Sequence, residues 1–280
     1  MTQTKKTLTL GHSPDPDDAF MFYGLASGQV DSKGWKFEHI LQDIQTLNER
    51  ARREELDISA VSIHAFSYIA DKYALLACGA SMGDNYGPMV VARENFAVTE
   101  LSRKKIAIPG TMTTAFLTLR LALGEFQYEV VPFDEILEQV ESGKFDAGLI
   151  IHEGQLTYSQ HGLVKILDLG EWWMARHQLP LPLGGNVVRK ALGAEAVTEI
   201  AGILKESIEF GLKHREEAVK HSLQWARGMG FDLADKFVGM YVNDYTLDYG
   251  EKGRKAVQLL LKEAADHKII PEKPNVEFVG

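Results

Sequence analysis

One cysteine, Cys78, occurs among the 280 residues, so neither an intrachain disulfide nor a cysteine-rich zinc site can form. Long apolar runs are also missing. The nearest candidate, residues 19–26, is too short to span a bilayer and ends at Ser27-Gly28. The first ten residues carry two lysines but no apolar segment of the kind that a secretory signal requires. These absences predict a soluble, reduced protein of the cytoplasm.

Basic clusters are missing as well. The formal net charge is −9, and the 30 lysine and arginine residues are scattered among 39 acidic ones. This balance argues against nucleic acid and against an anionic membrane surface as partners. There is no glycine-rich phosphate loop, no dinucleotide fingerprint and no histidine pair with metal-ligand spacing. A local site can still bind a small anion against the global charge, and the sequence predicts no nucleotide cofactor and no metal.

Strand-like and helix-like segments alternate twice along the chain, first from residue 7 and again from residue 105. Such alternation predicts an α/β protein with mostly parallel sheets. From about residue 195 the pattern becomes chiefly helical. Two α/β halves followed by helices suit two lobes joined by crossing strands, with the carboxyl-terminal part returning to the first lobe. Because ligands bind at the carboxyl ends of strands, the cleft between the lobes is the expected site.

The ends of the predicted strands select four segments for that cleft: 13–18, 60–62, 111–114 and 152–153. Thr113 and Thr114 follow a Pro-Gly turn and open an apolar helix, whose first N–H groups suit a carboxylate or phosphate, with the hydroxyls as further donors. An ordinary threonine N-cap is the alternative. His152 ends an apolar strand, where its ring suits a general base. The alternative is a buried histidine bonded to a neighbouring carbonyl.

Two further patterns deserve a chemical interpretation. The acidic group Asp15, Asp17 and Asp18 lacks the glycine and the terminal glutamate of a calcium loop, so helix capping is the favoured role. Asp18 is also a candidate for the cleft. Ser81 formally matches a nucleophile elbow, but a Gly-Pro turn and another strand follow it instead of a helix, which argues against a nucleophile.

Several stretches together resemble the family of 1,4-dihydroxy-6-naphthoate synthases, and they follow the family's order over nearly the whole chain. They are Ser-Pro-Asp-Pro-Asp-Asp-Ala-Phe-Met-Phe-Tyr (13–23), Gly-Pro-Met-Val-Val-Ala-Arg (87–93), Pro-Gly-Thr-Met-Thr-Thr-Ala (109–115), Ala-Gly-Leu-Ile-Ile-His-Glu (147–153), Asp-Leu-Gly-Glu-Trp-Trp (168–173) and Leu-Pro-Leu-Pro-Leu-Gly (179–184). One departure occurs in the first stretch, where Asp15, Asp17 and Ala19 replace the family's Cys, Asn and Thr.

The resemblance implies a two-lobed fold like that of type II periplasmic binding proteins, with a ligand cleft between the lobes. It implies a carbon-carbon lyase of the futalosine route to menaquinone, which converts cyclic de-hypoxanthine futalosine to 1,4-dihydroxy-6-naphthoate without a metal or organic cofactor. The substrate is thus an aromatic carboxylate with a sugar-derived ring. The family's proposed base matches His152. Its substrate contacts match Thr113, Thr114, Ala60, Val61 and Ser62, while Ser13 and Asp18 match its opening motif.

Residues 1–93 and 188–280 are expected to form the first lobe, and residues 94–187 the second. Two other functions fit a two-lobed fold. One is the solute-binding protein of a transporter, which usually carries a signal or a lipoprotein cysteine. The other is the sister chorismate dehydratase, which forms 3-enolpyruvyl-benzoate. The Leu-Pro-Leu-Pro-Leu-Gly and Ile-Ile-His-Glu stretches favour the lyase.

Overall fold

The computed structural model describes residues 6–280, which form twelve strands and thirteen α-helices. The strands are β1 (Thr7–His12), β2 (Lys36–Leu41), β3 (Ile58–Ser62), β4 (Tyr73–Leu76), β5 (Ser81–Gly83), β6 (Met89–Ala92), β7 (Lys105–Ile108), β8 (Gln127–Val130), β9 (Ala147–Ile150), β10 (Val164–Asp168), β11 (Leu181–Arg189) and β12 (Phe278–Val279).

The helices in the same range are α1 (Pro16–Met21), α2 (Tyr23–Ala26), α3 (Ile44–Arg52), α4 (Ile63–Phe66), α5 (Thr114–Leu123), α6 (Ile136–Glu141), α7 (Gly154–Thr157), α8 (Leu169–His177), α9 (Ala194–Lys213), α10 (Arg215–Ser222), α11 (Phe231–Tyr241), α12 (Asp244–Leu247) and α13 (Gly250–Asp266). The predicted helical character of the carboxyl-terminal third is confirmed by α9 to α13. No helix in the described part of the chain is both long and apolar enough to cross a lipid bilayer.

The strands form two sheets. The first has the order β12-β4-β11-β3-β1-β2, with β5 paired to β11, and the second has the order β10-β6-β9-β7-β8. The central strands β3, β6 and β9 are buried along their whole length, as expected of strands covered on both faces. The predicted α/β class is therefore confirmed, with one sheet for each of the two halves.

The prediction of mostly parallel sheets was wrong. β1 runs parallel to β2 and β3, and β7 runs parallel to β8 and β9. However, β11 runs antiparallel to β3, β4 and β5, and β6 runs antiparallel to β9 and β10. β6 and β11 are the first strands after the two crossings between the sheets. Each therefore runs in the direction opposite to the parallel strands of the sheet that it joins.

Sheet membership places both crossings earlier than the division predicted from the sequence. Met89–Ala92 (β6) pairs within the second sheet, although residues 89–93 were expected in the first lobe. Leu181–Arg189 (β11) pairs within the first sheet from its first residue, although 181–187 were expected in the second lobe. The chain therefore crosses at 84–88 and at 178–180. A strand pattern shows where a strand lies but not which sheet it joins.

The hydrophobic core continues from one lobe into the other around these crossings. A single cluster of buried side chains includes Leu75 of the first sheet, Val90 of the second, Phe116 of α5 and Leu260 of α13. Trp173, fully buried beside the second crossing, donates its indole N–H to Pro180 O at 3.1 Å. Burial of apolar surface on this scale stabilises each side chain by about 1.5–3 kcal/mol. The crossing region is thus a packed part of the molecule.

Candidate active site

A cavity lies between the two sheets, with about 740 Å³ of space that protein atoms do not fill, including the part open to solvent. This size is typical of small-molecule sites. Both lobes contribute to its wall. All eight residues predicted for the site line this one cavity: Ser13, Asp18, Ala60, Val61, Ser62, Thr113, Thr114 and His152.

His152 faces the cavity from the segment that directly follows β9. Its Nδ1 lies 3.0 Å from Oδ2 of Asp15, which comes from the other lobe. The histidine side chain is 12% exposed and the aspartate side chain 5%. The ring of Phe133 packs against the imidazole with 4.1 Å between ring centroids. The ring therefore has a fixed position and a fixed orientation.

The second ring nitrogen of His152 is available for chemistry. Nε2 is buried and has no hydrogen-bond partner among residues 6–280. A carboxylate can only accept hydrogen bonds, so the bond to Asp15 places the proton of a neutral imidazole on Nδ1 and leaves the lone pair on Nε2. An imidazole held in this tautomer by a carboxylate is the arrangement of a general base.

Arg227 completes the group around His152. Its Nη1 lies 2.9 Å from Asp15 Oδ1 and 3.0 Å from both carboxylate oxygens of Glu153, and the guanidinium lies 4.7 Å from the centre of the Phe133 ring. The backbone of Arg227 has φ +45°, which is uncommon for a residue with a side chain. Arg227 belongs to the turn between α10 and α11, whereas Glu153 follows β9. The ion pairs therefore connect the two lobes.

Two opposing effects act on Asp15. Burial by itself would raise the pKa of this carboxyl, but the charge and hydrogen bond of His152, together with the charge of Arg227, outweigh it. The pKa of Asp15 is therefore held below its ordinary value, and the carboxylate is ionised wherever His152 is to act as a base.

Ligand atoms of Asp15, His152 and Glu153 lie within 4.8 Å of one another, close enough for a metal ion. The guanidinium of Arg227 already bridges the two carboxylates. A metal ion would have to displace this cation from both partners, so the geometry of the cluster is explained by the ion pairs alone.

Asp17 and Asp18 line the same side of the cavity. Burial, followed by the charges of Asp18 and Asp15, raises the pKa of Asp17 well above its ordinary value. Burial also raises the pKa of Asp18 to about 6, although its Oδ2 accepts a hydrogen bond from the Ser13 N–H at 2.6 Å. Burial therefore makes Asp17 and Asp18 hold their protons more strongly than exposed carboxyls do, which opposes the build-up of negative charge on this wall.

The prediction that these aspartates cap the helix was wrong. The helix begins earlier than expected, at Pro16, which agrees with the preference of proline for the first helical position. Asp15 occupies the N-cap position with extended backbone, but its side chain makes no capping hydrogen bond. His152 and Arg227 bind both of its oxygens instead. The Asp15 carboxylate thus binds side chains at the cavity, and the Asp18 carboxylate binds the backbone of the preceding loop.

Thr113 and Thr114 begin α5 as predicted, but their hydroxyls are engaged within the protein. Thr113 Oγ1 accepts from the Phe116 N–H at 3.1 Å and donates to Gly110 O at 2.9 Å. Thr114 Oγ1 accepts from the His64 N–H at 3.2 Å and donates to Leu183 O at 2.5 Å. Neither hydroxyl is therefore free to serve as the extra donor expected from the sequence.

The backbone of the same helix end is free. Among the described residues, no acceptor binds the N–H groups of Thr114 and Ala115, and both residues line the cavity. These donors lie at the positive end of the dipole of a ten-residue helix. The helix end therefore offers a site for a carboxylate, in which backbone groups are the donors.

The paired strands β3 and β11 form the wall next to this helix end. Gly184, Gly185 and Asn186 lie opposite Ser62, Val61 and Ala60 in the antiparallel register. Ser62 is held by Asn48, whose Oδ1 accepts from the Ser62 N–H at 2.9 Å and whose Nδ2 donates to Ser62 Oγ at 3.0 Å. The Ser62 hydroxyl proton remains available to a ligand.

Several residues that matter to the cavity were not predicted. Arg227 lies in a turn that the sequence marks only as a helix break, Gly228-Met-Gly230. Tyr241 of α11 donates its hydroxyl to Gln155 Oε1 of the other lobe at 2.8 Å. Asn186 follows two glycines in a strand that has no other polar side chain before its last residue, Arg189, and this is the one signal that the sequence offers. Ser81 also lines the cavity, from strand β5, and no helix follows it.

The two sheets and the cavity between them define a two-lobed α/β protein with the fold of type II periplasmic binding proteins. The ligand-binding component of an ABC-type import system from Staphylococcus aureus, solved with zinc bound, matches with a TM-score of 0.72 at 14% identity, covering 99% of this chain and 97% of that one. The alkanesulfonate-binding protein SsuA from Xanthomonas axonopodis, bound to MOPS, matches with a TM-score of 0.70 at 11% identity, covering 98% and 97%. At such identities the likeness shows the fold alone, and it confirms the predicted two-lobed class.

The sequence profile of the menaquinone biosynthesis family matches residues 8–266. The 1,4-dihydroxy-6-naphthoate synthase of Thermus thermophilus is 38% identical over 274 residues, which cover 98% of this chain and 100% of that protein. The enzyme of the same name from Streptomyces coelicolor is 38% identical over 271 residues, 95% of each chain. A solved structure from Archaeoglobus fulgidus has a TM-score of 0.91 at 42% identity, covering 94% and 98%. The chain belongs to this menaquinone biosynthesis family, and the predicted family is confirmed.

Proposed function

We propose that the chain is a lyase that converts cyclic de-hypoxanthine futalosine to 1,4-dihydroxy-6-naphthoate, with His152 as its general base. One observation carries this proposal: the Asp15 carboxylate holds Nδ1 of His152 while Nε2 is buried at the cavity without a partner in the described structure. The buried Nε2 of His64 also lacks a partner, but the other nitrogen of His64 contacts a backbone carbonyl, whereas that of His152 contacts a carboxylate and His152 lines the cavity. The family membership supplies the substrate class.

The substrate carboxylate has a natural place at the start of α5. The free N–H groups of Thr114 and Ala115 point to an anion there, and the helix dipole favours it by up to about 1 kcal/mol. Three aspartates on another part of the wall disfavour an anion. The charges of the cavity thus orient the substrate, with the carboxylate at α5 and the sugar-derived part toward His152.

Proton removal then starts the reaction. His152 Nε2 takes a proton from the sugar-derived part, and the positive imidazolium that forms is stabilised by the Asp15 carboxylate. Cleavage releases the sugar-derived fragment and leaves an aromatic ring system, whose formation drives the reaction forward. The protein therefore supplies chiefly orientation and one base, and the proposal requires neither a metal nor an organic cofactor. Contacts between the lobes at Arg227 and Tyr241 keep water away from the intermediate.

The decisive experiment is a turnover assay by mass spectrometry with cyclic de-hypoxanthine futalosine and no added metal. Wild type, His152→Ala and His152→Asn are compared, and binding is measured by calorimetry. We expect product from wild type alone, with turnover reduced at least about 1000-fold in both variants and binding largely retained. Near-normal turnover by the variants would remove the base assignment.

The same assay separates the alternative functions. Tight binding by wild type without product would indicate a binding protein or a different substrate. Chorismate is supplied in parallel, and its dehydration to 3-enolpyruvyl-benzoate would identify the sister enzyme. The cytoplasmic location expected from the sequence remains a prediction, which fractionation of the source cells would test.

A further inference from the structure

Asn186 lies on the floor of the cavity, in the middle of β11. It is opposite Ala60 in the antiparallel pairing of β11 with β3, and two residues earlier Gly184 is opposite Ser62. Directly opposed residues of an antiparallel pair have their side chains on the same face, as do residues two apart along a strand. The Asn186 side chain therefore shares a face of the sheet with Ala60 and Ser62, which line the cavity as well.

The amide of Asn186 has no hydrogen bond within the described protein. Neither Oδ1 nor Nδ2 has a partner among residues 6–280, and the residue is 1% exposed. Leaving buried polar atoms without partners is unfavourable, and native proteins rarely do so without a functional reason. The Asn186 amide thus offers a hydrogen-bond donor, Nδ2, and an acceptor, Oδ1, at the cavity wall.

Asn48 provides a comparison within the same molecule. It is equally buried, at 0% exposure, but its Oδ1 accepts from the Ser62 N–H and its Nδ2 donates to Ser62 Oγ. Asn48 thus has the partners that a structural asparagine requires. Other buried side chains of residues 6–280 have one polar atom without a partner, but Asn186 is the one residue there for which two are without partners.

Packing holds the Asn186 side chain where it is. The backbone of Gly79 passes so close that a Cβ atom at this position would lie 2.1 Å from Nδ2 of Asn186. Gly79 also has φ +79°, a conformation that favours glycine. The amide is therefore positioned by its neighbours before any ligand arrives.

We propose that Asn186 is a substrate-binding residue that recognises a neutral hydroxyl group of the ligand. A hydroxyl both donates and accepts, and so it satisfies Oδ1 and Nδ2 together, whereas a carboxylate would leave Oδ1 without a donor. Thr114 Oγ1 binds Leu183 O, three residues before Asn186 in β11. At ~3.3 Å per residue the hydroxyl site lies roughly 10 Å from the start of α5. Asn186 therefore contacts the part of the ligand far from its carboxylate.

The identity of the ligand rests on the proposed function, whereas the lack of hydrogen-bond partners for the Asn186 amide is independent of it. The first test therefore uses protein without ligand. Asn186→Leu keeps the shape and removes both polar atoms, and Asn48→Leu is the matched control. We expect the Tm of Asn186→Leu to equal or exceed that of wild type, while Asn48→Leu lowers Tm by about 3–8 °C. An equal loss of Tm in both variants would show that Asn186 is bonded within the protein, and it would overturn the inference.

The second test measures turnover with cyclic de-hypoxanthine futalosine. We expect KM to rise about 10- to 100-fold in Asn186→Leu, with kcat within about threefold of wild type. Asn186→Asp, which keeps the shape but loses the donors, serves if the leucine variant does not fold, and it should also raise KM. An unchanged KM in an active variant would overturn the inference. If wild type itself shows no turnover, the proposed function fails, while the comparison of Tm values still decides whether Asn186 has a partner in the protein.

Discussion

Asp15 and His152 come from opposite lobes and meet at the cavity, with Asp15 Oδ2 3.0 Å from His152 Nδ1. This contact assigns the two nitrogens of the imidazole different tasks, because the one bound to the carboxylate carries the hydrogen and the other keeps its lone pair. The base of the proposed reaction thus exists in its active form only when the lobes are together. In the proposed mechanism this contact therefore couples closure of the lobes to formation of the base.

Removing the charge of Asp15 tests this coupling. Asp15→Asn keeps an oxygen that can accept from Nδ1 but no longer stabilises the imidazolium formed during proton removal. We expect kcat to fall about 10- to 100-fold with a small change in KM. Steady-state kinetics and thermal unfolding of the variant measure its effects on turnover and on stability separately.

A control separates this effect from a general loss of structure. Asp71→Asn changes an exposed aspartate with a side chain that is 73% accessible and remote from the cavity, and its kcat and Tm should equal those of wild type. A Tm of Asp15→Asn below the assay temperature would mean that the fall in kcat reflects lost structure. Normal kcat in Asp15→Asn would show that the contact has no part in the reaction.

Arg227 allows a second prediction, which concerns the approach of the lobes. Its guanidinium bridges Asp15 and Glu153 and covers the Phe133 ring. Arg227→Gln leaves the buried Asp15 with less compensation, so the closed arrangement is disfavoured. We expect the Kd and KM for substrate to rise about 10-fold, measured by calorimetry and steady-state kinetics.

The matched control is Arg254→Gln, which removes an arginine that lies 3.4 Å from Asp248 on an exposed surface. Exposed pairs contribute about 0–1 kcal/mol, so its kinetic constants should equal those of wild type. Arg227→Lys keeps the charge but offers a single ammonium, so it should recover part of the affinity. Equal effects of the two glutamine variants would argue against a role of Arg227 in closure.

Thr114 tests the carboxylate site at the start of α5. Its hydroxyl connects the His64 N–H and Leu183 O, and so it fixes the helix end against β11. Thr114→Ala loosens this connection but keeps the backbone N–H groups, so we expect KM to rise about 5- to 20-fold with little change in kcat. Thr114→Ser retains the hydroxyl and should restore KM. An unchanged KM in the alanine variant would speak against carboxylate anchoring at this helix end.

The parts of the site that local sequence patterns determine were placed at the cavity correctly. Thr113 and Thr114 follow a strand and a tight turn, His152 follows an apolar strand by two residues, and Ser62 ends another. Each prediction depends on a few neighbouring residues and on the rule that ligands bind at the carboxyl ends of strands. Local patterns thus sufficed to place these side chains, although their chemical roles remain proposals.

Local patterns could not predict contacts between residues that are far apart in the chain. The partners of Asp15 are His152 and Arg227, which approach it only when two lobes fold and pack, so capping was the best local interpretation. The antiparallel directions of β6 and β11 depend in the same way on where the chain crosses between sheets. Asn186 was missed because an asparagine after two glycines is usually part of a turn.

Asp18 gives a prediction for the dependence of stability on pH. Burial raises the pKa of Asp18 to about 6, above the ordinary value of 3.8 expected in the unfolded chain. Between pH 4 and 6 the folded protein keeps a proton that the unfolded chain has lost, so the free energy of unfolding falls as pH rises through this window. Above about pH 6 the carboxyl is ionised in both states and its unfavourable contribution is complete. Asp15, whose pKa is lowered, acts in the opposite sense, and its stabilising contribution is lost only as pH falls below about 4.

Asp18→Asn removes the ionisation and keeps an oxygen to accept from the Ser13 N–H. The Tm of this variant minus that of wild type should therefore be small at pH 4, increase up to about pH 6 and remain constant above it. Thermal unfolding from pH 3 to 8 measures this difference, with Asp71→Asn as the exposed control that should show no such increase. A difference that does not change with pH would mean that Asp18 ionises in the folded protein as it does in the unfolded chain. A difference that grows only below pH 4 would assign the titration to a carboxyl with a lowered pKa, as in the case of Asp15.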